Sequence, residues 1–126
     1  MKASLVRIMA ISGKLLIFFV GLLHVYFLVL EMFLWTKPIG LKSFRMTIEK
    51  AKETAVLAAN QGLYNGFLAA GLFWSLVYPS EVVARHIALF FLLCVFVAAL
   101  YGGYSVSRKI FFIQGIPAAL AIIALL

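Results

Sequence analysis

The sequence predicts an all-α membrane protein: four transmembrane helices in a compact antiparallel bundle, with an interfacial amphipathic helix between the first and second spans. Three observations lead there. Of 126 residues, 66% are hydrophobic and 12% charged, against about 25% charged in an average soluble domain. The apolar residues gather into four runs, at about 15–36, 54–78, 86–106 and 110–126. Each approaches the roughly 20 residues that cross a hydrocarbon core of roughly 30 Å. Most of the basic residues fall between the runs, so residues 1–126 read as one four-span domain.

The elements follow in order. Lys2, Arg7 and Lys14 precede the first run as in a signal peptide. That run, however, is too long, contains Glu31 and lacks a small-x-small cleavage site, so it reads as a retained first helix. Pro38-Ile39-Gly40 breaks the chain. Over 41–53, Leu41, Phe44, Ile48 and Ala51, continuing to Ala55, recur at a 3-4-3-4 spacing, while Lys42, Arg45, Glu49, Lys50 and Lys52 take the remaining surface. This is the pattern of a helix lying in the interface with its basic face toward anionic headgroups. The last run is short, and Pro117 near Gly115 marks a kink in it. Trp35, Trp74 and Tyr78 stand near span ends, as in an aromatic belt. Cys94 is the single cysteine, which rules out an intrachain disulfide and a Cys-rich metal site; it reads as a small packing residue.

Charge counting gives the topology. With four spans, the N-terminal tail, the 79–85 turn and the C-terminus share one side and carry Lys2, Arg7, Lys14 and Arg85. The loops at 37–53 and 107–109 carry Lys37, Lys42, Arg45, Lys50, Lys52, Arg108 and Lys109. The positive-inside rule then puts both termini outside and these loops in the cytoplasm. The formal net charge of +7 is thereby assigned to orientation and to contact with membrane lipids. Nucleic-acid binding would need exposed aromatics within a basic patch, and here the aromatics sit in the spans.

Polar residues inside the runs mark where the protein acts, because hydrocarbon cannot hydrogen-bond them. Counting about 1.5 Å per residue from Lys37 and Lys52 puts Glu31 about 9 Å inside the cytoplasmic boundary. The same count puts Asn60 and Gln61 about 12–14 Å inside, and Tyr64 and Asn65 about 18–20 Å. Tyr101 and Gln114 approach the same level from the third and fourth runs, and His24 is the deepest ionisable group. On a helical wheel, His24, Leu28, Glu31 and Trp35 form one stripe. Asn60, Gln61, Tyr64 and Asn65 form an arc on the second helix. Gly62, Gly66 and Ala70 lie on a different side, as a small-xxx-small packing seam that can also dimerise. The expectation is a polar cavity in the cytoplasmic half of the membrane, walled by the 60–66 stretch. His24 and Glu31 are about 10 Å apart along the helix, so they do not form a metal pair, and no cofactor motif is present.

Three stretches resemble a known family. They are His24 to Glu31-Met32-Phe33-Leu34-Trp35; Ala58-Ala59-Asn60-Gln61-Gly62-Leu63-Tyr64-Asn65-Gly66; and the end of the chain, with Tyr101-Gly102, Val106-Ser107-Arg108-Lys109 and Gln114-Gly115-Ile116-Pro117-Ala118. From about His24 onward the sequence is similar to the bacterial integral membrane family called domain of unknown function 1304. Lys37-Pro38-Ile39-Gly40 departs from the Thr-Pro turn expected there. The resemblance implies a small four-span protein of the bacterial inner membrane, and it implies no reaction.

Three functional classes are open on these residues. The first is binding or transport of a small hydrophobic or lipid-like molecule, with Glu31 as a proton-linked carboxylate. The second is an acid-base enzyme on a lipid or isoprenoid, using Glu31 with His24 or a tyrosine. The third is a structural or assembly protein whose polar residues dock helices. The ligand-handling class is favoured, because four amide and phenol groups within two turns exceed what docking requires.

Overall fold

The computed structural model describes the backbone of residues 2–126 and the side chains of residues 11–126; the side chains of Lys2 and Arg7, used above for topology, lie outside the described residues. The described chain is helical, with no strand in it. Helix α1 is Lys2–Met32, α2 Pro38–Phe44, α3 Ile48–Val77, α4 Glu81–Ser105 and α5 Arg108–Ile110. A π-helical segment, Phe111–Gly115, leads into α6, Ile116–Leu125.

Among the described residues, three helical stretches are long and apolar enough to cross a membrane: Ile11–Met32, Glu81–Ser105 and Arg108–Leu125. Helix α3 has 30 residues, about 45 Å of helix. It has the length to cross, but Asn60, Gln61, Tyr64 and Asn65 lower its apolarity.

The chain divides into two compact units, one of Met1–Gly21 with Ala70–Leu126, the other of Leu22–Ala69. In the first, Ala88, Leu92, Val95 and Ala99 make the buried stripe of α4, and Ala118 and Ala121 the buried stripe of α6. Glycines let backbones close on aromatic rings. A side chain at Gly21 would strike Phe73, one at Gly71 would strike Phe91, and one at Gly103 would meet Phe111. Ser80 caps α4, its hydroxyl accepting from the Val83 amide at 3.4 Å, with Glu81 adding a negative charge to the first turn. Pro117 has no N–H, and its ring crowds the carbonyl four residues earlier. The residues before it form the π-helical segment, whose wider turns end at Gly115, two residues before the proline.

In the second unit the last turns of α1 run antiparallel to the first half of α3. A Cβ at Gly66 would meet Leu28, and one at Gly62 would meet Met32, Glu31 and the Leu28 carbonyl. These two glycines are therefore where the helices approach most closely. After Met32 the amides of Phe33 and Leu34 both donate to the Val29 carbonyl, at 3.0 and 3.2 Å, and Lys37 donates to the Leu34 carbonyl at 3.1 Å. Pro38 starts α2, where its missing N–H costs nothing. Gly40 is buried, and any side chain there would collide with the backbone of Leu34 and Trp35.

The amphipathic helix expected over 41–53 is divided. Arg45 is left-handed, at φ 49°, and ends α2 with its amide on the Leu41 carbonyl; the Met46 amide follows onto the same carbonyl at 3.1 Å. Thr47 then caps a new helix, its hydroxyl accepting from the Lys50 amide at 3.2 Å. Both ends of the break are thus satisfied locally by capping bonds, which hydrophobic spacing alone does not register. The residues from Ile48 onward form the first turns of α3 rather than a separate segment.

Two substitutions test this turn. Gly40→Ala should destabilise the protein by about 2–3 kcal/mol, because the obstructing atoms are backbone and cannot repack. Arg45→Gly should be neutral or stabilising by up to about 1 kcal/mol, since glycine adopts the left-handed conformation without penalty. Thermal unfolding in detergent micelles measures both.

Candidate functional site around Glu31

Glu31 is the only buried carboxyl among the described residues, 4% exposed in the last turn of α1. Its Cβ lies beside Gly62. Side chains on a helix lean toward the helix N-terminus, so the carboxyl of Glu31 leans away from the end of α1 and toward the next turn of α3. There the Asn65 side-chain amide donates to its Oε1 at 2.7 Å. Close backbone approach at Gly62 and Gly66 is what brings two side chains from separate helices into this range. Among the described residues no Lys or Arg stands within ion-pair distance of Glu31, so the carboxyl is held by a neutral amide.

The other residues expected at the site are arranged differently. His24, two turns earlier on α1, is fully buried, with its ring edge-on to Phe27 at 5.6 Å. Asn60 is exposed and donates to the Val56 carbonyl of its own helix at 2.9 Å. Gln61 is exposed, as is Tyr64, whose ring lies 6.1 Å from that of Phe67. Of the arc on α3, Asn65 is the one that reaches Glu31. Tyr101 and Gln114 belong to the first unit, where Tyr101 is exposed at the end of α4 and Gln114 is half-buried within the π-helical segment.

Two expectations are corrected here. Depth counting separated Glu31 and Asn65 by about 10 Å, yet they are bonded. The count from Lys52 fails because α3 begins at Ile48 and continues unbroken past the charged residues, so Lys52 and Lys37 do not mark one level. The wheel placed the amides and the glycines on different sides of α3, but Asn65 shares the α1-facing side with Gly62 and Gly66. A three-residue step on a helix is only about 60° of rotation. Ala70 is exposed, and the buried small residues on this side are Ala58, Gly62 and Ala69.

The structure adds a group that spacing did not indicate. The indole N–H of Trp35 donates to Thr54 Oγ1 at 3.1 Å, and Thr54 donates in turn to the Lys50 carbonyl at 2.7 Å. The Trp35 ring also packs on Phe44, with centroids 4.6 Å apart. A belt reading of Trp35 misses this role as the clasp that ties the turn after α1 to α2 and to the first turns of α3. Within the first unit, a cavity of 350 Å³ is lined by residues including Lys14, Ile17, Ser75, Tyr78, Glu81 and Arg85. A second, of 220 Å³, lies among Leu100, Gly103, Arg108, Phe111 and Phe112. Among the described residues no three of His, Cys, Asp and Glu stand together as a metal site.

These features define a helical protein with one buried carboxyl at a glycine-lined helix crossing. The chain belongs to the family described as protein of unknown function DUF1304, which matches residues 18–126. It is also similar to the uncharacterized protein YpaA of Lactococcus lactis subsp. lactis (strain IL1403), at 31% identity over 118 residues, covering 92% of this chain and 98% of that protein. No solved structure matches it.

The crossing makes a direct prediction. Gly62→Val should cost about 2 kcal/mol or more by forcing the helices apart. Asn60→Leu should be nearly neutral, because that side chain is exposed and bonds its own helix. A double-mutant cycle on Glu31→Ala and Asn65→Ala, followed by unfolding in detergent, should return a coupling of about 1–2 kcal/mol.

Proposed function

We propose that this is a four-span integral membrane protein of the bacterial inner membrane, in which α3 is the additional span. It binds, and moves or releases, a small hydrophobic or lipid-like molecule in step with proton exchange at Glu31. Both termini face outward. The loops at 37–53 and 107–109 are cytoplasmic, in keeping with the seven basic residues counted there. The segment around α2 rests against the headgroups.

The observation that carries the reading is the partner of Glu31. With no cation beside it among the described residues, this carboxyl is buried at the end of an apolar helix against an amide. Buried ionisable groups in such helices mark ion, proton and substrate sites. An Asn amide bonds the carboxyl group in either protonation state, more strongly when it is ionised. Proton exchange therefore changes how tightly α1 holds α3 without removing the contact.

A structural reading rests on a specific observation as well: a glycine crossing and one interhelical hydrogen bond are what helix docking needs. Reconstituted protein separates the two. Glu31→Gln keeps an acceptor for Asn65 but cannot exchange the proton. In proteoliposomes containing a pH-sensitive dye and a panel of fluorescent amphiphiles, the wild type should show proton-coupled uptake or release, and the variant should lose it while keeping its unfolding temperature. Equal fluxes in both proteins would reject the ligand-handling reading. Loss of the fold in Glu31→Gln would support the docking role.

A further inference from the structure

The 350 Å³ cavity of the first unit is independent of Glu31. Its floor and its rim have opposite chemistry. Ile17 and Ser75 are buried at its base, and Leu76 and Leu125 add half-buried apolar surface. The exposed Lys14, Glu81 and Arg85 ring its mouth, with the half-buried Tyr78. The ammonium of Lys14 is 3.9 Å from a Glu81 oxygen, and the two side chains are 60% and 90% exposed, so that pair is loose and open to exchange. Arg85 donates from one terminal nitrogen to the Leu126 carbonyl at 3.2 Å, which positions the guanidinium while leaving its other donors open. The Ser75 hydroxyl donates to the Leu72 carbonyl, so its oxygen retains acceptor capacity toward the cavity.

The side chains at the mouth are two cations, one carboxylate and a phenol over an apolar floor, with the Leu126 main-chain oxygen beside Arg85. We propose that it is a binding site for a glycerophospholipid with a hydroxylated, anionic headgroup. Lys14 and Arg85 hold the phosphate. Glu81, released from its loose pair with Lys14, accepts from a headgroup hydroxyl. An acyl chain lies over Ile17, Leu76 and Leu125. A volume of 350 Å³ is at the small end of ligand pockets, which suits a headgroup and the first carbons of one chain rather than a whole lipid. Lys14 stands on the apolar stretch of α1 that is long enough to cross a membrane, Ile11–Met32, where a cation is costly unless it reaches an interface or a counter-ion. Glu81 is a loose counter-ion for it, and a phosphate at the mouth supplies a second.

Native mass spectrometry of the full chain in detergent, titrated with phosphatidylglycerol or phosphatidylcholine, tests the site. The wild type should retain one phosphatidylglycerol at least tenfold more tightly than phosphatidylcholine. In Lys14→Gln/Arg85→Gln that preference should disappear. It should persist in Arg108→Gln/Lys109→Gln, which removes the same charge elsewhere. All four substituted positions are exposed, so folding should be preserved, and the unfolding temperature of each variant checks this. Glycerol 3-phosphate added in excess should leave the bound lipid in place. Equal retention of both lipids by the wild type, or the same preference in Lys14→Gln/Arg85→Gln, would overturn the proposal. Displacement by glycerol 3-phosphate at lipid concentrations would also overturn it, in favour of a small-anion site. None of these results depends on Glu31.

Discussion

Helices surrounded by hydrocarbon gain nothing from hiding apolar side chains from one another, so their association rests on close packing and on the few hydrogen bonds they can share. In the second unit of this chain both meet at the crossing of α1 and α3. Gly62 and Gly66 remove the side chains that would hold α3 away from Leu28, Glu31 and Met32. The gap that remains is short enough for Asn65 to bond the Glu31 carboxyl. Neither contribution works without the other: with larger residues at 62 and 66 the bond could not form, and without Asn65 the carboxyl would be buried against a surface that gives it nothing.

The turn that follows is built to preserve this crossing. α1 stops one residue after Glu31, and the chain must reverse within a few residues for α3 to return beside it. Gly40 allows α2 to lie directly on the backbone of Leu34 and Trp35, and Trp35 reaches across to Thr54. The left-handed Arg45 and the Thr47 cap then set the direction in which α3 starts. Each device is local, and together they fix the register that puts residue 62 beside residue 31.

Much of this was legible from residue types. The apolar runs located the long helices, but α1 begins at Lys2 rather than about 15 and stops at Met32, α3 begins at Ile48 and α4 at Glu81. The Gly62–Gly66 spacing indicated a packing seam, and Glu31 stood out as a carboxyl in an apolar run. What spacing could not supply was register between helices. Levels counted from Lys37 and Lys52 assumed that charged residues sit at a common height, but α3 runs straight through its charged residues. The division at Arg45 was hidden because an arginine in the left-handed conformation carries no compositional signal, unlike glycine or asparagine there. The clasp formed by Trp35 and Thr54 was hidden because it joins residues 19 positions apart through one indole N–H.

The π-helical segment bears on how this chain should be compared with its relatives. A π turn accommodates one residue more than an α turn, so everything after Gly115 is rotated by about 100° from where an uninterrupted helix beginning at Arg108 would place it. The phase set by Phe111 against Gly103 is consequently not the phase that buries Ala118 and Ala121. Two relatives can therefore keep the same packing while their alignments differ by a single gap in this stretch. A one-residue deletion between 111 and 115 would be no shortening of a loop. It would return the stretch to regular α-helix and leave the final helix presenting the same face.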